Sequence, residues 1–200
     1  MNKHLPFERL RRDPTQAAEG LPRWRWSTAE LERMAGLGVF SEDDRFELIG
    51  GEIVPMSPKG NFHEVLRNQL SFVLARLCPP DIRVAFEPQF NLAPDTYTHP
   101  DILVHKAVEQ VPFVKGDTAL LVIEVAESSL SFDLKAKALL YARHGVREYW
   151  VIDAKRRITR VHRDPEAGGF GHVHEAQSRE RLVPALAPTL AVALDELTLD

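Results

Sequence analysis

Residues 119–126 read ALLVIEVA, seven apolar residues around a single glutamate, Glu124. So apolar a run predicts a central strand covered on both faces. A carboxylate inside such a strand is expensive unless it is paired or bound to a metal. SFDLKAKALLYARHG (131–145) follows with a helical pattern ended by Gly145, and REYWVID (147–153) follows at once as another apolar strand. A strand–helix–strand unit of this kind predicts local parallel pairing.

The rest of the chain surrounds that unit with hairpins and one long helix. STAELERMAGLG (27–38) has Ser27 three residues before Glu30, a capping box for a short helix. RFELIGGEIVPMS (45–57) predicts two short strands about Gly50-Gly51. NFHEVLRNQLSFVLARLC (61–78) predicts an amphipathic helix with Val65, Leu66, Leu70, Phe72, Val73 and Leu77 as its apolar positions, closed by Pro79-Pro80. IRVAFEPQFNL and PDILVH are strand-like. RRITRVHRD and GFGHVHEA pair as a hairpin around a Gly-Gly loop, and the tail 182–199 leaves helix and strand open. The fold class is α/β, a mixed central β-sheet flanked by helices. Residues 1–24 are expected to form an irregular arm, and 25–200 a single domain.

Composition narrows the function. The chain has 200 residues, 44% hydrophobic, and a formal net charge of −4. It does not coat nucleic acid by bulk charge, so any such contact needs a local patch. Cys78 is the one cysteine, which excludes an intramolecular disulfide and a cysteine-based zinc cluster. No apolar run reaches the length of a membrane span, and MNKHLPFERLRRD lacks the apolar stretch of a signal peptide. The expected location is cytoplasmic.

Asp101, after Pro100, and Glu124 stand on separate strand segments. If those strands are neighbours, both carboxylates reach one hydrated Mg²⁺ or Mn²⁺, an ion that needs few protein ligands. Such an ion activates water and offsets charge in phosphodiester hydrolysis. Nuclease sites of this type usually carry a lysine two residues after the glutamate, where this chain has Ala126. Asp133, Lys137 and Tyr141, spaced i, i+4, i+8, share one helix face, and Lys137 can enter the space that Ala126 leaves open. The alternative is an ordinary Asp133–Lys137 surface pair. Lys135 faces elsewhere on the same helix.

ELIGGEIVPMSP, HEVLRNQL, PDILV, VIEVAESS, DLKAKALLY and GVREYWVID, in that order, resemble the Uma family of restriction endonucleases within the PD-(D/E)XK nuclease superfamily. The similarity spans roughly residues 27–165. The resemblance implies a restriction-endonuclease-like fold and a divalent-metal site. It carries metal binding onto Asp101 and Glu124 and places the catalytic lysine at Lys137. Family members resemble this chain in having the strand lysine replaced.

Lesser candidates are His63 at the start of the long helix, near the metal or a phosphate, and Glu47 or Glu52 beside the Gly-Gly turn. Arg156, Arg157, Arg160 and Arg163 form the best basic stretch for phosphates, with Arg157 and Arg163 on one strand face and Arg156, Arg160 and His162 on the other. His172 and His174 alternate with Val173 but lack a third ligand at metal spacing. The C-terminal apolar runs suggest a homodimer interface, which suits two-strand cleavage. Two functions remain open: a Mg²⁺-dependent endodeoxyribonuclease, or a catalytically inactive nuclease-fold module that binds nucleic acid or protein.

Overall fold

The computed structural model describes residues 24–41 and 43–197. All but the last residue of the expected arm, and the final three residues of the chain, lie outside them. The described chain divides into two compact units, one running to Met56 with Pro94–Thr96, the other Ser57–Ala93 with Tyr97 onward.

In the first unit, α1 (Thr28–Gly36) begins at the expected capping box. The Ser27 hydroxyl accepts from the Glu30 N–H at 3.3 Å, and the Glu30 carboxylate accepts from the Ser27 N–H at 2.8 Å. Strands β1 (Phe46–Ile49) and β2 (Glu52–Pro55) pair antiparallel about Gly50 and Gly51, at φ 57° and 78°. Two successive positive φ angles make the tight hairpin turn that glycine permits.

The second unit carries α2 (Asn61–Leu77), β3 (Ile82–Phe86), β4 (Phe90–Ala93), most of β5 (Thr96–Thr98), β6 (Ile102–Lys106), β7 (Leu121–Ala126), β8 (Glu148–Asp153), β9 (Ile158–Glu166) and β10 (Gly169–Ala176). Its sheet has the order β10-β9-β8-β7-β6-β3. Only β7 and β8 run parallel; the other neighbours are antiparallel. The connection from β7 to β8 is the expected helix in three parts: α3 (Leu130–Phe132), a π-helical turn (Asp133–Lys137) and α4 (Ala138–Arg143).

Every residue of β7 is buried, as an apolar strand between two layers requires. Leu121, Ile123 and Val125 join one core with Leu66, Leu70 and Leu74 of α2. Val122 and Ala126 join another with Ala138 and Tyr141 of α4. Strand alternation thus aims Glu124 toward the helix that follows it.

Two sequence expectations change here. The inward stripe of α2 is His63, Leu66, Leu70 and Leu74, while Val65, Phe72 and Leu77 are exposed. Both sets have helical spacing, and tertiary packing chose between them. The described part of the tail, to residue 197, forms neither helix nor strand beyond a Leu182–Val192 bridge and two 3₁₀ turns, Pro188–Leu190 and Leu194–Glu196. Its Leu182, Ala187, Leu190, Val192, Leu194 and Leu197 fill the chain's own core, while Val183 and Leu186 are exposed.

Glu148 of β8 ties the tail down. It is 1% exposed and accepts from Trp150 Nε1 at 2.8 Å, Arg163 Nη2 at 2.7 Å and the Ala185 N–H at 2.7 Å. Arg163 also donates to the Val183 carbonyl at 2.8 Å. Glu148→Ala would strand a guanidinium and an indole N–H, and is expected to cost about 3 kcal/mol in urea unfolding. A second expectation concerns His162, buried beside Tyr149 and Phe170, with Nδ1 3.2 Å from the Tyr149 carbonyl. Burial pushes its imidazole below the ordinary 6.5, with the Arg160 charge adding to that and hydrogen bonds to backbone opposing it. The unfolded chain therefore takes the proton first as pH falls. The stability His162 contributes is full above pH 6.5 and is lost as pH falls through the folded value. Urea midpoints measured on both sides of pH 6.5 should fall less steeply with acid in His162→Gln than in the wild type.

Candidate functional site

Ile102 pairs with Ile123 in register, so Asp101 and Glu124 occupy opposed positions one residue further on. Asp101 precedes β6 and Glu124 lies within β7. Both are buried, at 4% and 5% exposure.

The Glu124 half of the site is built with the helix after β7. Lys137 Nζ donates to Glu124 Oε1 at 2.8 Å, and both side chains are 7% exposed. The Tyr141 hydroxyl stands 3.1 Å from the same oxygen and 3.0 Å from Thr98 Oγ1. Asp133 Oδ1 lies 4.0 Å from Lys137 Nζ, while its Oδ2 accepts from Ser129 Oγ at 2.6 Å. Asp133, Lys137 and Tyr141 are all buried, and Lys135 is exposed. The expected straight α-helix is interrupted here: the Ala138 N–H donates to the Asp133 carbonyl in the i→i+5 pattern of a π-turn.

The Asp101 half is built with α2. His63 Nε2 lies 3.0 and 3.1 Å from the two Asp101 oxygens. A carboxylate accepts only, so Nε2 carries the proton. The Val125 N–H donates to Asp101 Oδ2 at 2.7 Å, and Lys59 Nζ to Oδ1 at 3.3 Å. Burial pushes this carboxyl up, but the hydrogen bond and charge of His63, the Val125 N–H and the Lys59 charge together hold it below its ordinary value. Asp101 is therefore a carboxylate. Val125 also joins the halves, since it directly follows Glu124.

A second ring of charge supports Asp101. Glu87 Oε1 accepts from Lys59 Nζ at 2.5 Å and pairs with Arg67 Nη1 at 2.9 Å. Glu87 sits at φ 48°, a left-handed conformation unusual for glutamate, and its N–H donates to the Asp101 carbonyl at 3.1 Å. Glu127 Oε2 accepts from the His63 N–H at 3.1 Å, which caps α2 where Gly60 offers no side chain. A Cβ on Gly60 would overlap the Glu127 carboxylate. Lys59, Arg67, Glu87, Glu127 and Thr98 were not singled out from sequence. Lys59, Glu87 and Glu127 come from irregular segments, Thr98 from a short strand and Arg67 from a polar position of α2, where no local pattern marks them.

The structure thus brings Asp101 together with His63, and Glu124 with Asp133, Lys137 and Tyr141. Glu47 and Glu52 belong to the first unit, Glu47 buried and Glu52 exposed. The arginines do not line two strand faces. Arg156 and Arg157 precede β9 in its turn, Arg160 pairs with Glu175 at 2.7 Å, Arg163 is spent on Glu148, and His162 is buried. His172 and His174 have ring centroids 5.6 Å apart on β10, and both are exposed.

Among the described residues no three His, Cys, Asp or Glu side chains gather as a metal cage. Two carboxylates on neighbouring strands do suit a hard, well-hydrated Mg²⁺ or Mn²⁺, which keeps several waters of its own. Asp101 and Glu124 could hold it. No helix among the described residues is long and apolar enough to cross a membrane.

No curated protein matches the chain. Among solved structures it is similar to a crystal structure from Anabaena variabilis ATCC 29413 described as "a putative nuclease belonging to DUF820", with 18% identity over 80% of this chain and 93% of that one and a TM-score of 0.64. That likeness extends to the fold, a mixed α/β architecture of the restriction-endonuclease-like kind. The model of the Uma2 family, described as "Putative restriction endonuclease", matches residues 28–197, so the chain belongs to the Uma2 family.

Proposed function

We propose that this protein is a divalent-metal-dependent endodeoxyribonuclease that hydrolyses phosphodiester bonds. The observation that carries the reading is the buried Glu124–Lys137 pair, set one residue from the N–H that holds Asp101. An ammonium at that depth is costly to bury and weak as a stabiliser, so a chemical role accounts for it better than a structural one. Asp101 and Glu124 would hold the ion, which would supply Lewis-acid stabilisation and make a water more acidic. Lys137 offsets charge developing on the phosphorus oxygens and orients the attacking water. Tyr141 fixes Glu124 Oε1, and Asp133 holds the lysine from the other side. His63 keeps Asp101 aligned and ionised. Of the four arginines, Arg156 is the most open to a DNA phosphate, with a side chain 77% exposed.

A second reading is a catalytically inactive module that binds nucleic acid or protein. It is favoured by the cations that already neutralise both carboxylates, Lys59 at Asp101 and Lys137 at Glu124.

Metal binding separates the two. Binding to the native state raises stability by mass action. Millimolar Mn²⁺ is expected to raise the wild-type melting midpoint and to leave an Asp101→Ala, Glu124→Ala double variant where it was. An unmoved wild type favours the inactive module. Cleavage then tests the lysine. Lys137→Met is expected to lower Mg²⁺-dependent plasmid cleavage by about 10²–10³-fold and also to lower the melting midpoint, because Glu124 loses its buried partner. Lys135→Ala should change neither, and similar losses in both variants would remove Lys137 from the mechanism.

A further inference from the structure

The two lysines of the site are held in different ways. Lys137 projects from a helix, is 7% exposed and lies between Glu124 at 2.8 Å and Asp133 at 4.0 Å. Lys59 projects from the irregular segment before α2, is 18% exposed, and divides itself between two carboxylates. Its contact with Asp101 is the longer, at 3.3 Å, and that with Glu87 the shorter, at 2.5 Å. Asp101 keeps His63 and the Val125 N–H whether or not the lysine is there. Glu87 is fixed independently by Arg67 at 2.9 Å and by its own N–H on the Asp101 carbonyl at 3.1 Å. Its left-handed backbone, costly for a glutamate, keeps this second seat beside Asp101.

We propose that Lys59 is an exchangeable counter-ion of Asp101. Without a divalent cation it neutralises the buried carboxylate, and when the cation binds Asp101 it withdraws onto Glu87. This inference rests on the metal reading above and adds a residue to it. Lys59 on Asp101 Oδ1 occupies a lone pair that the ion could use, and a positive charge left within a few ångströms opposes a second by at least about tenfold in affinity. Glu87 lowers that cost by giving the ammonium a seat that it already occupies in part. Asp101 therefore faces a cation in both states, and the divalent ion takes the place of the lysine on it rather than that of water alone.

Mn²⁺ titration calorimetry on the full chain tests the exchange without reference to cleavage. Lys59→Met removes the competitor and is expected to tighten Mn²⁺ by about tenfold. Glu87→Gln removes the second seat and is expected to weaken Mn²⁺ binding. In the Lys59→Met background the same Glu87→Gln change should have little effect, because no lysine remains to be seated. Opposite signs in the single variants, with the second effect cancelled in the double, are not produced by loss of structure. Lys59→Gln, milder at a partly exposed position, should behave as Lys59→Met. Equal or weaker Mn²⁺ binding in both Lys59 variants overturns the exchange and leaves the metal reading standing. An equal Glu87→Gln effect with and without Lys59 also overturns it. No Mn²⁺ binding in the wild type or in either Lys59 variant overturns the metal reading, and the exchange with it.

Discussion

A carboxylate inside a strand buried on both faces is the constraint on which this site depends. Glu124 stands between Ile123 and Val125, each packed in the core behind it. Burying that charge unpaired costs several kcal/mol, so the fold must deliver a cation and a hydroxyl to it. The parallel β7–β8 crossover does this. The connecting helix returns across the face toward which Glu124 points, carrying Lys137 and Tyr141. The same apolar surroundings that make the pair expensive keep its geometry fixed.

Asp101 solves a similar problem with partners from α2 and from the backbone of β7. It leaves the sheet one residue before β6, where a strand end lets its side chain reach α2 and His63. The first turn of α2 has spare N–H groups, and Glu127, just past the end of β7, takes one of them. Glu127 is also 3.4 Å from Lys155 in the turn after β8. Positions near the carboxyl ends of the parallel pair thus hold the start of α2, and α2 holds the histidine. Sheet and helices orient one another through charged side chains at this end, while leucines fill the layer behind.

How much of this could be read from sequence follows from the range of each interaction. The β7 strand, the helix after it and the shared face of Asp133, Lys137 and Tyr141 follow from periodicity within about ten residues, and periodicity is written locally. On α2 two overlapping apolar sets, one through Leu66, Leu70 and Leu74 and one through Val65 and Phe72, both fit a helix. The sheet alone decides which faces inward. Lys59 meets Glu87 and Asp101 across 28 and 42 residues, and Glu127 meets His63 across 64, from segments with no regular pattern. A basic run reveals nothing of a buried acid opposite it in the sheet, which for Arg163 is Glu148.

The π-turn shows how a local departure from regular structure can serve the site. In an α-helix, residues four apart lie slightly more than one turn apart, so a side-chain column drifts around the axis. Over the eight residues from Asp133 to Tyr141 that drift would carry one end of the column away from Glu124. An i→i+5 turn advances less per residue, and here it spans Asp133–Lys137, the first half of the column. The α-helical half, Ala138–Arg143, then drifts in the opposite sense. The two cancel in part, which fits the burial of all three side chains on one face and the simultaneous contacts of Lys137 and Tyr141 with Glu124 Oε1. The turn surrenders regular backbone geometry at the point where the lysine must face a buried carboxylate. A lysine two residues after Glu124, at Ala126, would project from the strand itself and need no such adjustment, so placing the ammonium on the helix and winding a π-turn there form one structural solution.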